Sequence, residues 1–373
     1  MAARIIEKNH FFIKNKGNSF NPYIFFQGCN TMLDYRRVNL ISSFEKVVQN
    51  EKNLARFDRK FWYGILDIFP ISIGRVSFYN NIAYYLQKAN YSKNALLILD
   101  KILHRTPNRT VAHLNYAQGV DALLQRGWNR KYTSKISIKH KLTYTAQMLQ
   151  MDKVEKMNSL IKSKYRGYWG MLNEMNRILQ QRYHILDFTW GDLNADKKSD
   201  IAFVVEITDS SKIEDFISGK ARPINHNTRA IFVFVRTARG YSLVAQNREV
   251  LQADEQNSCD DNFDWASIKK GKLVLQTHQH CYHRGWKDDW LTYSFGFYNR
   301  ALVLTDSNSW WASKKTGNGE RKSANFLTGN YLFQKIAKRG KRKMGKAILK
   351  PINNSKILNF NEVNKPHVEG MLK

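Results

Sequence analysis

The apolar residues of this chain change their spacing once, and the change falls across a short acidic stretch. Ahead of it, apolar positions recur three or four apart, as one face of a helix requires; beyond it they alternate, as one face of a strand requires. The stretch runs His184-Ile185-Leu186-Asp187-Phe188-Thr189-Trp190-Gly191-Asp192-Leu193-Asn194-Ala195-Asp196-Lys197-Lys198-Ser199-Asp200 and leads into Ile201-Ala202-Phe203-Val204-Val205. A helical pattern followed by a strand pattern predicts an α+β chain: a helical region, then an antiparallel β-domain that opens near residue 184.

The acidic stretch also has a spacing of its own. Asp192, Asn194, Asp196 and Asp200 stand at i, i+2, i+4 and i+8, which lets a tight loop aim several oxygens at one hard cation such as calcium. The backbone carbonyl of Lys198 adds a further candidate ligand. An EF-hand is excluded, because Phe203 occupies the position where a bidentate Glu is needed. An acidic turn, in which Asp and Asn bond their own backbone, satisfies the same residues without a metal. The loop resembles the Asp-x-Asn-x-Asp-Gly-x-x-Asp calcium loops of FG-GAP and VCBS repeats. That resemblance implies a calcium-stabilised β-domain of the kind found in bacterial envelope proteins, so a cell-envelope or periplasmic location is an expectation. Ala195 and Lys197 replace the glycines usual in those loops, where a left-handed backbone is favoured.

Ahead of the loop, Tyr79, Ile82, Ala83, Leu86, Ala95, Leu99, Ile102 and Pro107 fall on the signature positions of a repeat of about 34 residues. In this respect the segment resembles a tetratricopeptide repeat. Ala83 and Ala95 are small where two helices would cross, and Leu86 and Leu99 are large where they would pack. A second repeat begins at Val111-Ala112-His113-Leu114-Asn115-Tyr116-Ala117, but its match decays: Asn129 stands where alanine is expected, and residues 126–141 are basic and poorly periodic. One repeat cannot bury its own apolar face, so neighbouring helices must cover it. Two stripes at helical spacing are candidates, Met148, Met151, Val154, Met157, Leu160 and Ile161, then Tyr168, Met171, Leu172, Met175 and Leu179.

Strands are expected at residues 201–207, 230–235, 241–245, 273–277, 290–297 and 301–304, most economically as one meander of about six. The chain therefore divides into a mixed or helical amino-terminal region (1–75), a tetratricopeptide-like helical domain (76–183), an FG-GAP- or VCBS-like β-domain (184–332) and a basic tail (333–373). Residues 333–350 hold eight basic residues and no acid, and the pattern there reads as an extended, solvated arm.

The formal charge of +29 is uneven, with 30 basic and 11 acidic residues up to Tyr183. Such a field favours nucleic acid, acidic proteins or anionic lipid surfaces. No stretch is long and apolar enough for a transmembrane segment. Tyr23-Ile24-Phe25-Phe26 is too short for the core of a secretory signal, which leaves a cytoplasmic location open, although Gln27-Gly28-Cys29 faintly resembles a lipoprotein cleavage site. Three cysteines are too few for a disulfide scaffold; Cys259 and Cys281 could pair in an oxidising compartment.

Motifs of enzymes are missing. There is no Gly-x-Ser-x-Gly elbow and no His-Glu-x-x-His helix. Gly340 to Lys346 has phosphate-loop spacing, but Ala347 replaces the magnesium-binding hydroxyl. His278, His280, Cys281 and His283, with Cys259, form a candidate transition-metal cluster. Trp286, Trp290, Tyr293, Phe295, Trp310 and Trp311 lie among basic residues and suit either stacking on single-stranded nucleic acid or cross-strand packing. The expected function is non-enzymatic: a protein or peptide partner held in a helical groove, the alternative being nucleic acid bound by the basic helical half and tail.

Overall fold

The computed structural model describes residues 76–128, 133–214, 224–251, 263–280, 287–313, 315–337, 343–353 and 357–372. The mixed or helical region expected at residues 1–75, with Cys29, and likewise Asn129, Cys259, Cys281, His283 and Trp286, lies outside them. The chain forms two compact units, residues 1–144 and 145–373.

In the first unit, helices α1 (Val76–Lys88) and α2 (Ser92–Arg105) form a hairpin, followed by α3 (Thr110–Gln125) and the start of α4 (Ser134–Gln150). Tyr79, Ile82, Ala83 and Leu86 recur on one face of α1 and meet Ala95, Leu99 and Ile102 of α2 in one fully buried cluster. Pro107 is buried in the turn that follows. The hairpin turns at Asn90, whose φ of 67° is left-handed, a conformation that Asn tolerates better than most residues. There the Tyr91 amide donates to the Leu86 carbonyl and closes the end of α1.

Helix α3 lies close against the hairpin because Gly119 has no side chain. A Cβ built there stands 2.7 Å from Gln87 Nε2 and 3.0 Å from Leu96 Cδ2. The basic stretch that showed no clear period does form a helix, α4, from Ser134 onward. Its side toward α3 is mixed: Ile136 packs against Leu96, Val120 and Leu123, while the Ser137 hydroxyl, buried, and the Lys141 ammonium both donate to the Asp121 carboxylate. Apolar spacing alone does not reveal a helix seated in large part through hydroxyls and charges.

In the second unit, α4 ends at Gln150, where Asp152 turns left-handed (φ 52°) and the Lys153 amide donates to the Met148 carbonyl. The methionine stripe from Met148 to Ile161 is therefore not one helix. Asn158 caps a short α5 (Ser159–Lys164) by accepting from the Ile161 amide. Leu160 is 73% exposed, whereas Met157 and Ile161 are buried. Helix α6 (Trp169–Leu179) then buries Met171, Leu172, Met175 and Leu179 along one side.

The strands make two antiparallel sheets rather than one meander. The first has the order β1 (Tyr183–Gly191), β2 (Asp200–Ile207), β5 (Arg229–Thr237), β6 (Gly240–Asn247); β3 (Ile213–Glu214) and β4 (Ile224–Asn225) form a small ribbon between β2 and β5. In the second sheet, β7 (Phe263–Lys269), β8 (Lys272–His280), β9 (Lys287–Tyr298), β10 (Ala301–Ser313), β11 (Gly319–Asn325) and β12 (Asn330–Ala337) follow in sequence, and both β13 (Lys343–Met344) and β14 (Ile348–Pro351) pair with β12. Helices first, then antiparallel strands, is the α+β order read from the sequence. β2 is buried at all eight positions, which is why it reads as a continuous apolar run. β11 (Gly-Glu-Arg-Lys-Ser-Ala-Asn) buries little beyond Ala324 and gave no apolar signal.

Side chains join the two sheets. β1 bulges between Ile185 and Asp187, and the Asp187 carboxylate then accepts from the amides of Phe188 (2.8 Å) and Ala266 (3.0 Å). Thr189 Oγ1 accepts from the Ile268 amide at 3.1 Å. Gly191 allows this approach, since a Cβ there stands 2.6 Å from Ile268 Cγ2.

The basic stretch 333–350, read as an extended, solvated arm, supplies the end of β12 together with β13 and β14, and residues 344–349 are exposed, whereas the chain beyond it enters the core. Beyond β14, Ile352, Leu358, Phe360, Val363, Val368, Met371 and Leu372 are buried in the core that both sheets share, the last three within or beside α7 (Lys365–Met371). This contribution is hard to read from spacing, because Asn, Pro and Gly interrupt the segment and no period is sustained in it.

Candidate functional site

The exposed face of α1 and α3 is the best-organised surface of the helical unit. Its alignment comes from polar contacts: Asn115 Nδ2 donates to Asn80 Oδ1 (3.3 Å), Gln87 Nε2 donates to the Asn115 carbonyl (2.6 Å), and the Arg109 guanidinium donates to Ser77 Oγ (3.1 Å). Asn80 and Asn115 are each 6% exposed, so these bonds are made with little competition from water. Outward from this seam stand Ser77, Tyr84 and Lys88 of α1 and Val111 and Gln118 of α3, all exposed. The apolar members, Tyr84 at 42% and Val111 at 49%, are open to solvent, and the Lys88 ammonium lies 5.5 Å from the centre of the Tyr84 ring.

Behind this face is a buried histidine that apolar spacing did not single out. His113 Nε2 lies 2.8 Å from the Pro107 carbonyl, which can only accept, so Nε2 carries the hydrogen. In the neutral ring Nδ1 then accepts, and His140 Nδ1, 2.8 Å away, is the donor. His140 is set by a ring contact with Tyr116, centroids 4.3 Å apart. Burial holds the His113 pKa down at about 4; the Pro107 carbonyl opposes this shift and the charge of Lys139 adds to it.

A histidine kept neutral in the folded state stabilises it fully above its unfolded pKa of 6.5, and that stability is lost as pH falls from 6.5 toward 4. The loss is on the order of 3 kcal/mol. Chemical unfolding of the helical unit at a series of pH values is expected to show this slope, and His113→Gln to flatten it.

The acidic loop has a defined backbone. Asp192 Oδ2 accepts from the Lys197 amide (2.9 Å), Asn194 Oδ1 from the Asp196 amide (3.1 Å) and Asp196 Oδ1 from the Lys198 amide (2.8 Å). Ala195 and Lys197 both have φ of 63°, the left-handed conformation that favours glycine. Asp192 Oδ1 is buried and has no hydrogen-bond partner. Asp200 differs from the others. It is fully buried, and its two oxygens accept from the amides of Leu193 and Arg236, each at 2.8 Å. Asp200, a member of the expected cation set, uses these bonds to clamp the two ends of the β1–β2 connection to β5. Among the described residues no group of three or more His, Cys, Asp or Glu side chains is placed to hold a metal ion.

The strained backbone at two non-glycine positions is testable. Each left-handed L-residue costs about 1 kcal/mol, so the double variant Ala195→Gly, Lys197→Gly is expected to raise the melting temperature of the β-unit despite glycine's greater freedom when unfolded. A lowered melting temperature would show that the loop holds this conformation without strain.

The remaining sequence candidates separate. His278 stacks on Trp290 across β8 and β9, with centroids 3.6 Å apart and planes at 12°, so one face of this indole is already covered. Tyr293 and Phe295 are fully buried in the core. Trp310 and Trp311, being adjacent in β10, lie on opposite faces of the sheet. Gly340, Lys341 and Arg342 fall outside the described residues, while Lys343 and Met344 form β13, so phosphate-loop spacing there coincides with a strand.

No helix of the described residues is long and apolar enough to cross a membrane. No protein-family model matches the chain, and neither a curated protein nor a solved structure matches it.

Proposed function

We propose that the protein is a non-enzymatic binding protein that takes a peptide segment of another protein across the face of α1 and α3. The supporting observation is that a buried amide seam aligns these two helices and leaves Tyr84 and Val111 open between Ser77, Lys88 and Gln118. Paired helices that present apolar anchors in a polar rim are a recurrent way to hold an amphipathic segment. Selection from a displayed peptide library tests this. Enriched peptides are expected to lose affinity about tenfold with Tyr84→Ala or Val111→Glu, and peptides that bind both variants as well as the parent would refute the site.

Nucleic acid is the second reading, supported by the charge of +29 and the excess of basic residues up to Tyr183. Its signature is distinct, because counterion release makes such binding fall steeply with salt. Peptide binding through apolar anchors changes little over the same range.

Calcium, in this reading, is a stabiliser of the β-unit. Asp192, Asn194 and Asp196, with the carbonyl of Lys198, would hold it, and the buried, unbonded Asp192 Oδ1 supports the assignment. An ion bound only by the folded state stabilises it by about 2.7 kcal/mol at a hundred times its Kd. Millimolar calcium is therefore expected to raise the melting temperature of chelator-treated protein, and Asp192→Ala to abolish the rise. A melt unchanged by calcium would leave the loop as an acidic turn.

A further inference from the structure

The two edges of the second sheet are finished differently. At β7, the amides of Ala266 and Ile268 are taken by the side chains of Asp187 and Thr189, so that edge is closed to another strand. At the opposite edge β13 and β14 both pair with β12, and among the described residues no strand pairs with their outer side. This edge is also apolar and open: Met344 is 51% exposed, Ile348 52% and Leu349 65%, and Leu349 faces Leu332, itself 45% exposed, across the strand pair.

Adjacent residues of a strand point to opposite faces, so Ile348 and Leu349 offer an apolar contact on each side of the edge. Around them stand Lys335, Lys346 and Lys350, the last with its ammonium 4.8 Å from the Phe333 ring centre, in a segment with eight basic residues and no acid. Edge lysines repel a second copy of the same edge and so guard against self-pairing. The same charges attract an acidic strand. From the open edge, the apolar pairs and this one-sided charge, we infer that β14 is a docking edge for an extended peptide that alternates apolar and acidic residues, added to the sheet as a further strand.

A short blocked peptide of alternating valine and glutamate, added to the full chain, tests this. It is expected to bind, to weaken about tenfold when Leu349 is replaced by Asp (L349D) or Lys346 by Glu (K346E), and to be lost when its backbone amides are N-methylated. A valine and lysine peptide is expected not to bind. Because Leu349 is mostly exposed, the fold should survive its replacement, and K346E provides an independent check. Equal binding of the N-methylated peptide would reduce the effect to general charge attraction and overturn the strand-addition assignment. So would affinity unchanged by both variants, or a dimer of the free protein that L349D dissociates. Tyr84→Ala is expected to leave this binding intact, so failure here is distinct from failure of the helical face.

Discussion

Replacing Asp200 by Ala is expected to destabilise the β-unit by about 3 kcal/mol, because the buried amide of Leu193 and the part-buried amide of Arg236 lose their acceptor together. The carboxylate bonds the amides of Leu193 and Arg236 and is fully buried. The Leu193 amide, buried, then carries its full desolvation penalty, and the part-buried Arg236 amide a share of one. For a unit of this size the change corresponds to a fall of roughly 10 °C in melting temperature. Asp200→Asn retains the shape but turns an NH2 group toward one of the two amides, and is expected to be nearly as damaging. Amide exchange at Leu193 and Arg236 gives the local readout and should accelerate more than exchange elsewhere in the first sheet. Asp192→Ala without calcium is the control, and a fall equal to that of Asp200→Ala would refute the clamp.

Asn247→Ala is expected to have an effect of similar size, by detaching the carboxy-terminal segment. Asn247 ends β6 and is 3% exposed. Its amide nitrogen donates to the carbonyls of Phe360 and Val363, while its oxygen accepts from the amides of Glu249 (2.8 Å) and Val250 (2.7 Å). One side chain thus uses all its bonding capacity on four backbone groups separated by more than a hundred residues. Removal strands two donors and two acceptors, a loss of about 3–4 kcal/mol after partial relaxation. The Leu304 amide, which donates to the Leu358 carbonyl, gives a second anchor, so the segment should loosen rather than leave. Limited proteolysis at residues 352–372 should therefore become faster in the variant while the first sheet stays protected. Unchanged cleavage would mean that the apolar residues alone hold the segment.

These sites show what sequence spacing can and cannot carry. The order of helices and strands was legible because it is written in local periodicity, and all six expected strands lie within observed ones. The residues that pack α1 on α2 were legible for the same reason: Tyr79, Ile82, Ala83 and Leu86 lie three or four apart and are buried together. The acidic loop was legible as a tight turn rich in oxygens, and Ala195 and Lys197 do take left-handed conformations there.

What spacing could not show depends on residues distant in the chain. That Asp200 also ties the loop to β5 is visible only once Arg236 is seen to donate to it. The segment beyond the basic stretch shows no period, and its place in the core is visible only when Phe360 and Val363 meet Asn247. The seating of α4 adds Ser137 and Lys141 on Asp121 to the apolar contact of Ile136, and such polar contacts leave no apolar period. Local periodicity determined the α+β class and the change from helices to strands near residue 184, because a helix or strand face is a property of neighbours in sequence; the division into units at 144/145 was not legible there. Only the tertiary structure decided the two-sheet arrangement, the role of Asp200 and the open edge at β14, because a buried hydrogen bond or an unpaired edge exists only once the chain has come back upon itself.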